Sequence, residues 1–304
     1  MGSLNTDTGQ TSPINFLKKW FLLILELGKI RITFSVTITT TIGYLLAPRP
    51  WEGSLLWPVI GILLIGLSSA ALNQWQDKNL DAKMKRTRHR PLPSGRVTEA
   101  QVLIFVAITF IVGVGTLYIK TNLIATLLGI SAFVWYNAIY TYLKRVSAIA
   151  VIPGSVIGGV PPAVGWVAAG GDVLDPLILS ICLFMVIWQI PHFWLLLFLY
   201  GKDYSLAGLP TLLDRFSEYG LRLLTFGGLL VTVISATWIP YAGNMTSPEI
   251  YRMLTVLSIL MLYFSRKLLT RQGEVDYKQA FISINVYSVL VLVLVLAAGL
   301  WENQ

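Results

Sequence analysis

Nine hydrophobic runs, each close to the roughly 20 residues an α-helix needs to cross a bilayer core, constrain this chain more than any other feature. They fall at about 30–47, 55–76, 98–119, 122–142, 147–169, 174–199, 219–240, 248–269 and 279–301. A backbone in lipid must satisfy its own N–H and C=O groups, so runs of this length predict helices and no open sheet. The expected fold is all-α, an integral membrane bundle of about nine transmembrane helices. Composition agrees: of 304 residues 12% are charged, about half the share in a soluble domain. Segment 14–28 sets Lys18, Lys19 and Glu26 among Phe, Trp and Leu, an amphipathic pattern expected at the interface before the first span. Residues 1–13 are polar without the basic-then-apolar order of a cleaved signal, and are read as a disordered tail. With no soluble block, linker or 20–50-residue repeat, 14–304 is expected to be one membrane domain.

Charge assigns the sides. If the helices alternate, all but Arg49, Lys120 and Arg252 of the 23 Lys and Arg residues fall on one side. The positive-inside rule makes that side cytoplasmic, together with the N-terminus. The net charge of +8 is thereby explained by loops facing the cytoplasm, with no nucleic-acid partner implied. The absence of an Arg-rich, acid-poor transit segment favours a bacterial or archaeal cell membrane. The single Cys182 excludes an internal disulfide and a multi-cysteine metal site.

The most informative stretch runs from Asn73 to Asp81, at the cytoplasmic end of the second span. Spacing of four puts Asn73, Asp77 and Asp81 on one helical face. Two carboxylates and an amide oxygen are a hard donor set, too small to enclose Mg2+, which characteristically keeps waters and takes phosphate oxygens besides one or two carboxylates. A Mg2+-bound phosphate or diphosphate is the ligand this suggests. Lys83, Lys85, Arg86, Arg88 and Arg90 follow, before a Pro91-Leu92-Pro93-Ser94-Gly95 turn. Arg forks suit phosphate oxygens. A basic loop that only sets topology would also look like this, but would not explain two aligned acids beside it. Lys202-Asp203-Tyr204 and the pair Tyr140 and Lys144, one turn apart, lie on the same face of the membrane. Taken alone, the first reads equally as a solvated pair and the second as an interfacial Tyr with a snorkelling Lys. Within the membrane, Pro191 precedes His192. His192 has several roles open to it: partner of the carbonyl freed by Pro191 or of a neighbouring helix, cavity lining, or ligand to haem iron. Pro161-Pro162, preceded by Gly154, Gly158 and Gly159, marks a kinked or closely packed helix.

The run Asn73–Gly95, with its NxxxDxxxD motif, resembles the first Asp-rich motif of the UbiA-type intramembrane prenyltransferases. Other ordered blocks extend the resemblance. Gly28-Lys29-Ile30-Arg31 is similar to the family's TKPR entry to the first helix, Tyr140–Arg145 to YTxxLKR with one intervening residue fewer, and Pro161–Trp166 to PPxxGW. Gln189–Trp194 and Lys202–Pro210 are similar to two more. Together they resemble the branch that farnesylates haem. Three features stand apart: His89 where many relatives carry Asn, a single acid at Lys202-Asp203 where others have an Asp cluster, and an unfamiliar Ser147–Pro153.

The resemblance implies nine helices around a lipid-open cavity capped by Asp motifs on the cytoplasmic side. It implies farnesyl diphosphate and haem b as substrates, Mg2+ as cofactor, and haem O and diphosphate as products. Haem A synthase or terminal-oxidase assembly is the implied partner. Asn73, Asp77 and Asp81 would hold Mg2+–diphosphate, with Lys83, Arg86, Arg90, Lys144 and Lys202 around its oxygens. Tyr140, Asp203 and Tyr204 would complete the site, and His192 would meet the acceptor. The alternatives are a UbiA-type enzyme for a quinone precursor or chlorophyllide, and a non-catalytic haem carrier or transporter. A transporter would be expected to show repeats and midplane broken helices.

Overall fold

The computed structural model describes residues 13–48, 54–271 and 274–302. Apart from Pro13, the expected N-terminal tail lies outside them, as does Arg49. Helix α1 (Pro13–Leu27) leads to α2 (Ile30–Leu46), α3 (Leu56–Gln76) and a single turn α4 (Lys78–Asp81). Next come α5 (Glu99–Lys120) and α6 (Leu123–Val134), the latter continued by a π-helical turn (Trp135–Tyr140) and α7 (Thr141–Leu143). The chain closes with α8 (Val151–Ala168), α9 (Pro176–Leu206), α10 (Glu218–Ala242), α11 (Pro248–Ser265) and α12 (Tyr277–Glu302).

Nine of these segments, counting α6 to α7 as one, fall on the predicted runs. Seven are long and apolar enough to cross a membrane by length and composition, and α2 is a shorter apolar helix. The protein is thus an all-helical, multi-pass membrane protein. Its outer faces carry apolar residues at helical spacing, such as Ile104, Ile108 and Ile111 on α5 and Val286, Val289 and Val293 on α12, all exposed. In water such a surface would be a liability; against lipid it is required. Leu, Ile and Val of α2, α3 and α8 to α12 form one continuous core inside.

Small residues set the tightest approach. A Cβ on Gly43 of α2 would lie 2.0 Å from the Pro162 carbonyl oxygen, and one on Gly165 of α8 would lie 1.9 Å from that of Thr40. Backbone meets backbone there, the close packing that small residues permit in membranes. It is also why the Pro-Pro-Ala-Val-Gly segment reads as it does. The buried threonines of α2 donate to nearby backbone, Thr40 to Val36 within the helix and Thr33 to Gly28 at the preceding break, and so leave no unpaired hydroxyl in lipid.

Three boundaries differ from those expected. Helix α9 runs on to Leu206 where falling hydropathy suggested 199, because helical hydrogen bonds need no apolar side chains. It stops at Gly208, whose φ of 74° lets Leu209 N–H donate back to the Tyr204 carbonyl, a glycine helix stop. Lys202, Asp203 and Tyr204 therefore sit on a helix rather than on a loop. Helix α8 begins at Val151 after turns, and α11 ends at Ser265, its expected last residues forming a 3-10 turn (Arg266–Leu269).

Candidate active site

Helix α3 ends at Gln76, and Asp77 leaves helical geometry (φ −96°, ψ 6°). The expected face nevertheless survives. Asp77 N–H donates to the Asn73 carbonyl (2.9 Å) and Asp81 N–H to the Asp77 carbonyl (2.8 Å), so four-residue register crosses the break. Both carboxylates are inside: Asp77 is 5% exposed and Asp81 1%. Acids at a helix C-terminus are disfavoured by its dipole, and buried ones need partners.

Cations supply them. Asp77 Oδ2 accepts from Lys144 Nζ and from Asn73 Nδ2 at 2.9 Å. Its Oδ1 accepts from Arg145 Nη2 at 3.1 Å. Arg90 Nη1 donates to both oxygens of Asp81, at 2.8 and 2.7 Å. Thr87, on the same loop as Arg90, donates its hydroxyl to the Asp81 carbonyl and so helps fix the loop.

Asn73 is the hub. Its Nδ2 also donates to Thr141 Oγ1 at 3.1 Å, while its Oδ1 accepts from Lys29 Nζ at 2.9 Å and from the Tyr136 hydroxyl at 3.4 Å. Lys29 stands at the α1–α2 break with φ of 47°, a conformation sparsely used by residues other than glycine. Gln74 helps hold that break by donating to the Glu26 and Leu27 carbonyls. Burial pulls the Lys29 ammonium down to about 7, Arg90 and Lys144 adding to the effect and Asp81 and Asp77 opposing it. Burial also lowers the Lys144 ammonium, against the pull of Asp77.

The π-turn explains how α6 reaches this cluster. One wide turn is a frequent mark of a functional position in a helix. Here the Thr141 hydroxyl donates to the Tyr136 carbonyl, and buried Asn137 donates to Ser69 Oγ at 2.7 Å. Tyr136, Tyr140 and Lys144 are thereby brought beside Asn73 and Asp77. The Tyr140 ring lies 5.6 Å from that of Tyr136 and 5.8 Å from Lys144 Nζ. A Cβ on Gly154 would sit 2.5 Å from the Tyr140 ring, so α8 makes room for it.

The second half contributes less tightly. Arg86 N–H approaches Asp203 Oδ2 at 3.4 Å, and the Arg86 guanidinium lies 5.1 Å from the Tyr200 ring, linking the basic loop to the end of α9. Tyr204 is within electrostatic reach of Tyr136 and Tyr140. Lys83 and Lys202 are exposed and form no ion pair among the described residues. His192 is not part of this cluster: eleven residues separate it from Asp203 along α9, about 16 Å at the helical rise. It sits between Trp188 and Phe281, ring centroids 4.8 and 4.9 Å away, with the Asn285 side chain as its polar neighbour and Nδ1 buried outside hydrogen-bond geometry.

Lys29, Tyr136, Thr141 and Arg145 complete the cluster, and sequence reasoning did not single them out as site residues. Lys29 and Arg145 lay inside the blocks that carry the resemblance, and a polar residue repeatedly placed near a membrane border was the available signal. Among the described residues no three His, Cys, Asp or Glu side chains form a group able to cage a metal. Two buried carboxylates beside an amide fit a hard cation that brings waters and phosphate oxygens of its own.

Fold and site together define a polytopic helical protein with an ion-paired polar cluster at one bilayer edge, above an apolar bundle. The chain belongs to the UbiA prenyltransferase family, whose pattern matches residues 36–301. It is 34% identical over 290 residues to a protein of Burkholderia vietnamiensis (strain G4 / LMG 22486) named protoheme IX farnesyltransferase, covering 93% of each chain. In fold it is similar to digeranylgeranylglyceryl phosphate synthase, with a TM-score of 0.75 at 18% identity, covering 93% of this chain and 99% of the other. A UbiA homologue of Archaeoglobus fulgidus bound to GPP and Mg2+ superposes with a TM-score of 0.58 at 14% identity, covering 91% and 99%.

Proposed function

We propose that this protein transfers the farnesyl group of farnesyl diphosphate to a vinyl group of haem b, with addition of water, giving haem O and diphosphate. The reaction type is carried by one observation: two buried carboxylates at the bilayer edge, each held by cations that can turn to a phosphate. The acceptor rests on relatives named for haem farnesylation that match this chain over nearly its whole length.

The residues divide the work. Asn73, Asp77 and Asp81 would hold Mg2+ at the diphosphate, with Asp203 opposite. Mg2+ would neutralise the leaving group, a role in which its relative's GPP and Mg2+ are suggestive. Lys29, Arg86, Arg90, Lys144 and Arg145 face the same anion. Each ion pair now made to Asp77 or Asp81 is a cation already aimed at the place where charge develops, so little reorganisation accompanies the reaction. The exposed Lys83 and Lys202 guide the anion in from the cytoplasmic side.

The allylic C–O bond then breaks, its electron pair leaving with diphosphate. The vinyl π-bond attacks the farnesyl carbon, and water adds to the resulting benzylic-type cation and loses a proton. Tyr136 and Tyr140 present rings beside Asn73 and Lys144, with Tyr204 toward the same site, and aromatic faces attract cations. The apolar bundle keeps water from the allylic cation before the acceptor reaches it. His192, in mid-bundle with a free ring nitrogen, suits the acceptor's iron. A cell membrane with the Asp site cytoplasmic is the setting consistent with the basic face. The product would pass to haem A synthase or to an assembling haem–copper oxidase.

The test is a product assay. Purified protein in lipid is given haem b, farnesyl diphosphate and Mg2+, with and without chelator, and haems are resolved by mass. A hydroxyethylfarnesyl haem formed only with Mg2+ is expected. Folded protein yielding no modified haem would move the reading to another aromatic acceptor or to a haem carrier.

A further inference from the structure

A second concentration of positive charge, unused by the reaction above, stands where α10 begins and α11 ends. It lies at the same edge of the bundle as the Asp77 cluster, since α10 follows the end of α9, where Asp203 meets the Arg86 backbone. Arg222, in the second turn of α10, is 6% exposed, and its Nε is buried without a partner. No carboxylate of the described residues forms an ion pair with it. The acid one turn before it, Glu218, instead accepts a hydrogen bond from the Tyr277 hydroxyl. Glu274 and Asp276, on the segment that leads into α12, are exposed and pair with no arginine among the described residues.

The neighbours of Arg222 add cations rather than acids. The guanidinium carbons of Arg222 and Arg271 each lie 5.4 Å from the centroid of the Tyr219 ring. The Tyr219 hydroxyl donates to the Leu269 carbonyl at 3.4 Å and so ties α10 to the 3-10 turn after α11, whose Arg266 and Lys267 are exposed. A buried charge without a counter-ion is strongly disfavoured, and a cation–π contact with one tyrosine offsets only part of that cost. An anion would complete the arrangement. The surroundings say what kind. Leu223 and Leu224, next to Arg222 on α10, and Tyr263, Phe264 and Leu269, around the end of α11, are all exposed. In a membrane bundle such side chains face acyl chains. A ligand here meets cations at the bilayer edge and hydrocarbon beside them, which is the chemistry of an anionic phospholipid. A soluble anion would use the cations alone.

We propose that Arg222 and Arg271 bind the phosphate of an anionic phospholipid whose acyl chains lie along α10 and the end of α11. One phosphate then joins the start of α10 to the turn after α11 and supplies Arg222 with its counter-ion. The site selects by net charge: phosphatidylcholine carries the same phosphate, but its ammonium would bring a further cation among the arginines. The proposal needs only a bilayer around the second half of the bundle, and it stands apart from the identity of the acceptor.

Phosphatidylglycerol and phosphatidylcholine are the probes. The full chain, stripped of lipid in detergent, is given both at equal concentration, and native mass spectrometry counts the lipids of each kind that stay bound. Wild type is expected to hold phosphatidylglycerol in preference by about tenfold or more, the scale of a hydrogen bond to a charged group. Arg222→Gln is expected to bind both lipids alike, and Arg271→Gln, at an exposed position, to lose several-fold of the preference. Lys18→Gln, which removes an exposed cation from α1, is expected to keep all of it. Full preference in Arg222→Gln or, should that variant not fold, in Arg271→Gln would overturn the proposal. So would wild type that binds the two lipids equally, and so would a loss in Lys18→Gln as large as in Arg222→Gln, which would reduce the effect to overall charge. Displacement of bound phosphatidylglycerol by inorganic phosphate at the same concentration would give the arginines to a soluble anion and overturn the lipid.

Discussion

The two halves of the bundle treat buried charge differently. In the first half, Asp77 and Asp81 are saturated: Lys144, Arg145, Asn73 and Arg90 occupy their oxygens. Unpartnered buried nitrogens occur in both halves, Arg145 Nε in the first and Arg222 Nε and His192 Nδ1 in the second. But Arg145 still reaches Asp77 through Nη2, whereas Arg222 pairs with no carboxylate among the described residues, and Asp203 has one long contact. A saturated cluster keeps its charges in place before the ligand arrives; binding of the metal and diphosphate exchanges these ion pairs for new ones, so the cations are already at hand when the bond breaks. Unpaired groups are tolerable only if a ligand completes them. On the proposed reaction, the first half would serve the reacting anion and the second a partner that brings its own polar groups.

The largest expected effect comes from breaking the saturated half. Asp77→Asn keeps the shape but removes the charge that holds Lys144 and Arg145. Turnover should fall by about 100-fold or more, the usual scale for removing one electrostatic stabiliser, while the protein still inserts and elutes as wild type does. Product formation by mass is the readout, and near-normal activity would remove the metal-site assignment. Asp77→Ala should in addition lower thermal stability, because it strands two cations without a hydrogen-bonding replacement.

The unpaired half should respond in the opposite sense. His192→Ala removes a side chain with one unsatisfied nitrogen, so its stability loss should be limited to lost packing against Trp188 and Phe281 and the lost contact with Asn285. Haem affinity should fall by about tenfold, comparable to one strong polar contact, with farnesyl diphosphate affinity unchanged. Soret titration and calorimetry measure the two separately. If haem binds as before, His192 is a packing residue, and the contrast between the halves rests on Arg222 alone.

Much of the first half could be read in the sequence. The helices were legible because lipid demands long apolar runs, and the Asn73, Asp77 and Asp81 face because four-residue spacing is fixed by helix geometry. The break at Asp77 was not legible, since hydrogen bonds across it preserve the same register. Nor was the π-turn at Trp135–Tyr140, which has no pattern in residue type and yet decides that Tyr136 reaches Asn73. Lys29 escaped because its partner lies 44 residues away on another helix. Arg222 escaped because a lone Arg at a helix end on the expected cytoplasmic side satisfies the positive-inside rule with no further explanation. Only its burial, which is a tertiary property, marks it out.

Lys29 tests where the boundary between the halves falls. It belongs to the first cluster by contact, but its partner Asn73 is neutral, so burial is not offset and the ammonium sits at about 7. Its value in the unfolded chain is near the ordinary 10.5. Between these two values the unfolded state binds more protons, so stability rises with pH across that window and its deficit is complete below about 7. In chelator and without diphosphate, Lys29→Met should abolish that slope and raise the melting temperature more at pH 6 than at pH 10. The same variant should weaken farnesyl diphosphate binding, by a few-fold, because the anion is what makes a charged Lys29 favourable. A melting curve with unchanged pH dependence would place Lys29 with the fully paired groups. Loss of affinity without gain in stability would mean that Asn73 and its neighbours already compensate the charge.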